Sequence, residues 1–289
     1  MLHEIFIAPF ADYEFMRRAL VGAVALAISG SPLGVFLILR RMSLAGDALS
    51  HAILPGAALG YLAYGLSLPA LTFGGLAAGL AVAAASSAAA RFTVLREDAS
   101  LAAFYLVSLA LGVAIVSLKG SNVDLLHVLF GSVLALDDAT LIFLASIASF
   151  TLLALAAAYR ALTLDTLDPV FARRVSRLGE AVPFAFLALV VLNLVAGFHA
   201  LGTLMAVGII MLPAASARLW TQNLTIALPL AAAIGVLSSY FGLVLSFRSG
   251  LPAGPVIILM AGAAYFSSLI LGRTGGLVRL RRPRSHLEG

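Results

Sequence analysis

Charged residues are scarce in this chain of 289 residues. Asp, Glu, Lys and Arg together make up 11% of it, whereas 62% of the residues are hydrophobic, and the mean hydropathy is +1.08. A soluble domain carries about 25% charged residues, so this chain cannot cover a water-facing surface. The shortage excludes a cytosolic enzyme, a nucleic-acid-binding protein and a disordered chain, and it indicates a polytopic membrane protein.

Several chemical signatures are missing as well. The chain has no cysteine, which excludes disulfides and thiolate metal sites. Its one lysine, Lys119, follows Leu118, so there is no P-loop, whose Gly-Lys-Ser/Thr lysine reaches the nucleotide phosphates. The motifs His-Glu-x-x-His and Gly-x-Ser-x-Gly, which mark metalloproteases and serine hydrolases, are also absent. We therefore expect no enzyme and no ATPase site in this chain.

The acidic residues bear on the energy source of a transporter. No Asp or Glu occurs between Glu180 and Glu288, although ion-coupled carriers usually use carboxylates inside the membrane. If the chain transports a solute, we expect a partner protein to drive it. A self-sufficient ion-coupled carrier or channel is the alternative class.

Long apolar runs predict the fold class. A helix needs roughly 20 apolar residues to cross a bilayer, and continuous Ala- and Leu-rich runs exclude a β-barrel. We predict an all-α membrane helix bundle with about nine transmembrane helices, or alternatively eight. The nine runs are 16–39, 48–66, 70–90, 100–118, 139–159, 182–198, 201–219, 224–246 and 255–272.

The boundaries between these runs also lead to expectations. Tight hairpins are expected at Leu66–Pro69 and near Phe198–Leu201, and the shorter segment 121–136 is expected to form a surface or re-entrant helix. The first run is about twice as long as a signal-peptide core and ends without a cleavage signal, so we expect it to remain as a span. Since no repeat or linker divides the chain, residues 1–289 are expected to form one transmembrane domain.

The basic residues predict the orientation. Cytoplasmic loops of membrane proteins are enriched in Lys and Arg. Fourteen of the 18 basic residues lie in segments that nine spans place on one side, namely 40–41, 91–96, 160–177, 218 and 273–284. This side, with the tail 273–289, is expected to face the cytoplasm, and the N-terminus is expected to lie outside. Membrane orientation thus explains the net charge of +5.

Asp47 and His51 form the most informative polar pair. They are four residues apart where a helix is expected to begin, so they share one helix face. A carboxylate oxygen and an imidazole nitrogen suit a divalent metal such as zinc or manganese. Two ligands are too few for a tight site, but a two-fold dimer would supply four. The open alternative is that Asp47 caps the helix and His51 is a satisfied interior histidine.

Asp124 and His127 form a second polar pair, near Asn122 on the predicted external side. Residues three apart also share a helix face, so this pair could form a metal entrance. A polar external loop is the open alternative. His199, at a predicted external hairpin, is expected to be solvated.

The longest polar stretch between spans is 165–180. Asp168 is expected to cap a short helix whose first residue is Pro169. Phe171 and Val175 fall on one stripe of this helix, and Gly179 is expected to end it. Such a short amphipathic helix could lie on lipid or dock in a groove of another protein.

The sequence resembles a known family in several segments. The block Gly-Asp-Ala-Leu-Ser-His at 46–51, within the run 33–56, is similar to the opening motif of permease subunits in ABC importers for zinc, manganese and iron. Further matches cover nearly the whole chain. They are Arg96–Ala99, Leu129–Gly131, the Asp168–Gly179 segment, Gly202–Met205 and Leu212–Ala217.

The resemblance implies a homodimeric permease in the bacterial plasma membrane. It would receive metal from an extracytoplasmic binding protein, and two cytoplasmic ATP-binding subunits, which alone would hold ATP, would drive it. Asp47 and His51 would match pore residues that contact the metal. The segment 168–179 would match the coupling helix that inserts into the ATPase, through Asp168, Phe171, Ala172, Val175 and Gly179.

Two further expectations rest on this resemblance. Many relatives have an acidic residue where this chain has Ser132, so Asp124 or His127 would compensate at the entrance. Zinc is the expected cargo, and manganese and ferrous iron are the alternatives.

Overall fold

The computed structural model describes residues 4, 6–65, 67–94, 96–118, 136–175 and 181–277. Throughout this described part the regular structure is helical, which confirms the predicted all-α class. The helices are α1 (Ala8–Asp12), α2 (Glu14–Leu39), α3 (Ala45–Ala52), α4 (Leu54–Tyr64), α5 (Leu68–Phe92), α6 (Glu97–Leu118), α7 (Asp138–Leu167), α8 (Pro169–Val175), α9 (Ala181–Leu201), α10 (Thr203–Trp220), α11 (Leu224–Ser249) and α12 (Ala253–Leu271).

Within the described residues, eight helices are long and apolar enough to cross a membrane: α2, α5, α6, α7, α9, α10, α11 and α12. The ninth predicted run, 48–66, is divided between α3 and α4 at Ile53. Pro55 explains the division, because it has no backbone N–H to donate to the carbonyl of His51 and its ring would clash with that carbonyl in a continuous helix.

Together α3 and α4 still carry the chain from one end of the bundle to the other. Ala52 lies beside Ser108 of α6, and Gly112 of α6 lies against Pro55, so the pair runs parallel to α6. Gly56 lies against Gly74 of α5 and Gly60 lies against Ala70, so α4 and α5 are antiparallel. Within the described residues, α3 and α4 thus form one path along the bundle beside the eight long helices.

Contacts between helix ends define the two ends of the bundle. At one end, called here the arginine end, Arg40 pairs with Asp165, and the chain after α12 returns to Leu219, whose carbonyl accepts a hydrogen bond from Thr274 at 3.0 Å. At the opposite end, Arg18 pairs with Asp138 at 2.9 Å. The chain therefore enters α2 at the opposite end and leaves α12 at the arginine end.

Both expected hairpins are present. Between α9 and α10 a single residue, Gly202, turns the chain with φ of 84°. Between α4 and α5 the turn includes Gly65 with φ of 68°. Such positive φ values favour glycine, which has no Cβ to clash. The predicted segment 121–136 falls almost wholly in 119–135, outside the described residues.

Helix α2 lies at the centre of the bundle and packs closely on α10. The Ser31 hydroxyl donates to the carbonyl of Ile209 at 2.9 Å. A Cβ on Gly34 would overlap the carbonyl oxygen of Ile210 and would lie 2.9 Å from Cβ of Ala214. This contact fixes the position of α2 along the bundle axis relative to α10. It therefore also fixes the place where the chain leaves α2 for α3.

The Gly34 contact leads to a stability prediction. Gly34→Ala should lower the free energy of unfolding by about 1–3 kcal/mol, because backbone atoms of α10 must move to admit the methyl group. Gly262→Ala is the matched control, since a Cβ there meets no atom within 4 Å. Thermal unfolding midpoints of the purified variants in detergent measure the difference, and equal midpoints would contradict the prediction.

Candidate functional site

A sharp turn after α2 positions the helix that carries the candidate metal ligands. The N–H of Arg41 donates to Ile38 at 3.0 Å and the N–H of Met42 donates to Leu37 at 2.9 Å, a pattern typical of a helix end with a left-handed residue. Arg41 takes this role with φ of 60°, which is uncommon for a residue other than glycine. Only residues 40–44 separate α2 from α3.

Asp47 and His51 lie on one face of α3, as their spacing predicts. Asp47 Oδ1 and His51 Nε2 are 3.7 Å apart, with side chains 60% and 27% exposed. The distance exceeds that of a hydrogen bond. It suits one ion bound to both atoms, because two metal–ligand bonds of about 2.0–2.2 Å can span it.

The structure also bears on the alternative interpretation of this pair. The N-cap residue of α3 is Leu44, so Asp47 does not cap the helix. The His51 Nδ1 atom is buried and has no hydrogen-bond partner within the described part of the chain. Its ring stacks on Tyr105, with centroids 6.3 Å apart and planes inclined by 27°.

Helix α6 supports α3 and α4 along one stripe formed by Tyr105, Ser108 and Gly112. The Ser108 hydroxyl donates to the carbonyl of Ala52 at 3.1 Å, directly at the break between the two short helices. A Cβ on Gly112 would lie 3.0 Å from the nitrogen of Pro55, so glycine permits close approach there. Sequence reasoning missed these residues, although spacing of i, i+3 and i+7 could have indicated a contact face.

Within the described residues, no third ligand joins the pair. Among the described residues, no group of three or more His, Asp or Glu side chains could hold a metal ion. The other candidate ligands, Asp124 and His127, and also Asn122 and Ser132, lie outside the described residues. His199 lies near the end of α9, and its side chain is outside the described part.

The predicted short helix after α7 is present as α8. The Asp168 carboxylate accepts a hydrogen bond from the backbone N–H of Phe171 at 2.9 Å, which confirms Asp168 as the cap with Pro169 at the first helical position. Phe171 is 50% exposed, whereas Ala172 is buried in its own chain. The side chain of Val175 and the whole of Gly179 lie outside the described part.

Residues 12–272 match the model of the ABC 3 transport family. The chain belongs to the ABC 3 transport family. The match extends from the start of α2 to the end of α12, so it includes α8 and the two residues Asp47 and His51 of α3, called here the α3 pair. Membership confirms the resemblance seen in the sequence and the multi-pass membrane location.

Individual relatives of this family agree over nearly their full lengths. The chain is 31% identical over 267 residues to the manganese import system permease protein ScaB of Streptococcus parasanguinis, covering 92% of this chain and 94% of ScaB. It is 29% identical over 270 residues to the chelated iron transport system membrane protein YfeD of Yersinia pestis, covering 93% and 89%.

A solved structure is similar as well. This is PsaBC from Streptococcus pneumoniae in complex with Fab, with a TM-score of 0.83 and 28% sequence identity. The likeness covers 98% of this chain and 100% of that chain. It confirms the polytopic helix bundle.

The contact between Tyr105 and His51 leads to a prediction about accessibility. Tyr105→Ala should raise the rate at which diethyl pyrocarbonate modifies His51 severalfold, because the ring that covers the imidazole is removed. Tyr105→Phe should leave the rate unchanged, since the stacked ring remains. Mass spectrometry of the modified peptide measures the rate, with His51→Gln assigning the signal. An unchanged rate in the alanine variant would show that Tyr105 does not hold His51.

Proposed function

We propose that this chain is the permease subunit of an ATP-driven importer for a divalent metal ion, and that Asp47 and His51 contact the ion on its path. The observation that carries the proposal is the α3 pair. A carboxylate and an imidazole lie 3.7 Å apart and partly exposed, beside a break in a crossing helix. The names of both relatives, a manganese and an iron system, support a metal as cargo.

A homodimer completes the ligand set in this proposal. One chain supplies two ligands, and a second copy related by a two-fold axis supplies two more around that axis. The exposed Asp47 carboxylate leaves room for such an approach. Incomplete and weak coordination suits a transport path, because the ion must leave again.

Manganese is the cargo that we propose. A carboxylate oxygen is a hard ligand that suits manganese, and imidazole accommodates several divalent metals. The ScaB relative is named for manganese and the YfeD relative for chelated iron. Zinc, which we expected from the sequence, is the metal named for neither.

The motor belongs to other chains in this proposal. Two cytoplasmic ATP-binding subunits dock on α8, where the apolar side chains of Val170 and Phe171 are exposed at the arginine end. Ala172 faces inward and holds α8 on its own bundle. Asp168, Val175 and Gly179 complete the coupling segment.

Transport follows by alternating access. The arginine end faces the cytoplasm, in line with the enrichment of basic residues in cytoplasmic loops. An extracytoplasmic binding protein delivers metal at the opposite end, where Asp124 and His127 remain candidates for an entrance. ATP binding draws the two copies of α8 together, and the bundle reorients around the dimer axis. The chain performs no covalent chemistry.

The α3 pair is tested by isosteric substitutions. Asp47→Asn and His51→Gln should each abolish metal accumulation, because Asn lacks the carboxylate charge and Gln lacks the imidazole nitrogen, while the side-chain volume is nearly kept. Both variants should still assemble with the ATP-binding subunits. Asp12→Asn is the matched control, since Asp12 is an exposed acid in α1, distant in sequence from α3. Uptake of radiolabelled manganese into proteoliposomes is the measurement, and undiminished uptake in both variants would refute the assignment.

The cargo is tested by competition in the wild-type complex with its cognate binding protein. Unlabelled manganese should inhibit uptake of radiolabelled manganese at lower concentrations than zinc or ferrous iron. The reference is the same series measured with each ion as the labelled species. Stronger transport of zinc or ferrous iron than of manganese would replace manganese in the proposal and leave the α3 pair in place.

A further inference from the structure

A buried ion pair joins the end of α2 to the end of α7 at the arginine end. The guanidinium of Arg40 contacts the carboxylate of Asp165, and the two side chains are only 8% and 4% exposed. Arg40 also lies over the ring of Phe186 of α9, 4.6 Å from its centroid. Its Nε donates to the Thr166 hydroxyl at 3.4 Å. The guanidinium is thus enclosed by two helices besides its own.

Such a pair is not explained by stability alone. Removing two charges from water costs about as much as their attraction returns, and apolar side chains of similar volume often stabilise a protein equally well. Burial accordingly lowers the pKa of Arg40, and Asp165 and Glu97 oppose the shift. The pair therefore calls for a role that an apolar contact could not fill.

The positions of both residues in the chain point to that role. Arg40 directly precedes the left-handed residue Arg41 and stands five residues before α3, which carries the α3 pair. Asp165 stands three residues before Asp168, the cap of α8. The ion pair thus bridges the two segments that the proposed function uses, although they are 125 residues apart in sequence.

We propose that the Arg40–Asp165 pair transmits movement of α8 to α3. The inference rests on the proposed function, and both residues are positioning residues, since neither is a proposed metal ligand. Separating opposite charges in a poorly solvated environment is costly, so the ends of α2 and α7 move together. An apolar contact at the same place could slide. When the ATP-binding subunits pull on α8, the pair carries the displacement through residues 40–44 into α3.

The decisive variant replaces both charges at once. Arg40→Met with Asp165→Leu leaves no unpaired buried charge, so the chain should fold. In proteoliposomes with the ATP-binding subunits, the binding protein and manganese, this double variant should hydrolyse ATP at the wild-type rate. Metal imported per ATP should fall about tenfold, within the usual range of coupling between sites. An unchanged ratio of import to hydrolysis would overturn the proposal.

Two further variants keep the test specific. Arg18→Met with Asp138→Leu removes the ion pair at the opposite end, which is much more exposed, and should leave the ratio unchanged; an equal fall there would overturn the proposal. If the double variant does not assemble, Asp165→Asn decides. It nearly keeps the side-chain volume but removes the negative charge of the pair. A lower ratio with intact hydrolysis supports the proposal, and a wild-type ratio overturns it.

The controls separate this inference from the proposed function. A wild-type complex that imports no metal would refute the proposed function itself. Phe171→Arg should weaken assembly with the ATP-binding subunits, whereas the Arg40 and Asp165 variants should assemble and lose only the link between hydrolysis and import. The two failures therefore give different results.

Discussion

Inside a bilayer no water satisfies a freed backbone carbonyl, so a helix can break there only where a neighbouring helix supplies a hydrogen-bond donor. The break between α3 and α4 meets this condition, because the Ser108 hydroxyl donates to the carbonyl of Ala52. Gly112 lets α6 approach Pro55 closely enough to support it. The α3 pair, its contact with Tyr105 and the short link to Arg40 all depend on α3 being a separate short helix.

The two polar side-chain pairs, Asp47–His51 and Arg40–Asp165, differ in the way that their proposed roles require. Asp47 and His51 are partly exposed and 3.7 Å apart, so water or an ion can separate them at little cost. Arg40 and Asp165 are almost fully buried and in direct contact, and separating them would leave charges without solvent. A site that must release its ligand needs the first arrangement, and a mechanical link needs the second.

The sequence predicted those features that depend on local pattern. Apolar runs located the eight candidate membrane spans found among the described residues, a spacing of four placed Asp47 and His51 on one face, and Asp168 with Pro169 marked the start of α8. Local pattern could not identify Arg40 as the partner of Asp165, because 125 residues separate them and nothing in either segment indicates the other. The break at Ile53 could have been predicted, since Pro55 interrupts the run 48–66. The support from α6 could not, because it depends on tertiary packing.

The chemistry of the α3 pair also limits where metal selectivity can arise. Nitrogen and oxygen ligands of one geometry bind zinc more tightly than manganese, because affinity rises along the first transition series. A path built from Asp47 and His51 therefore cannot prefer manganese by affinity alone. Two copies of the pair could favour a higher coordination number than zinc adopts in its four-coordinate sites, and weak binding reduces the advantage of zinc further. In a manganese importer of this design, the binding protein must make most of the choice, and the permease must only let the chosen ion pass.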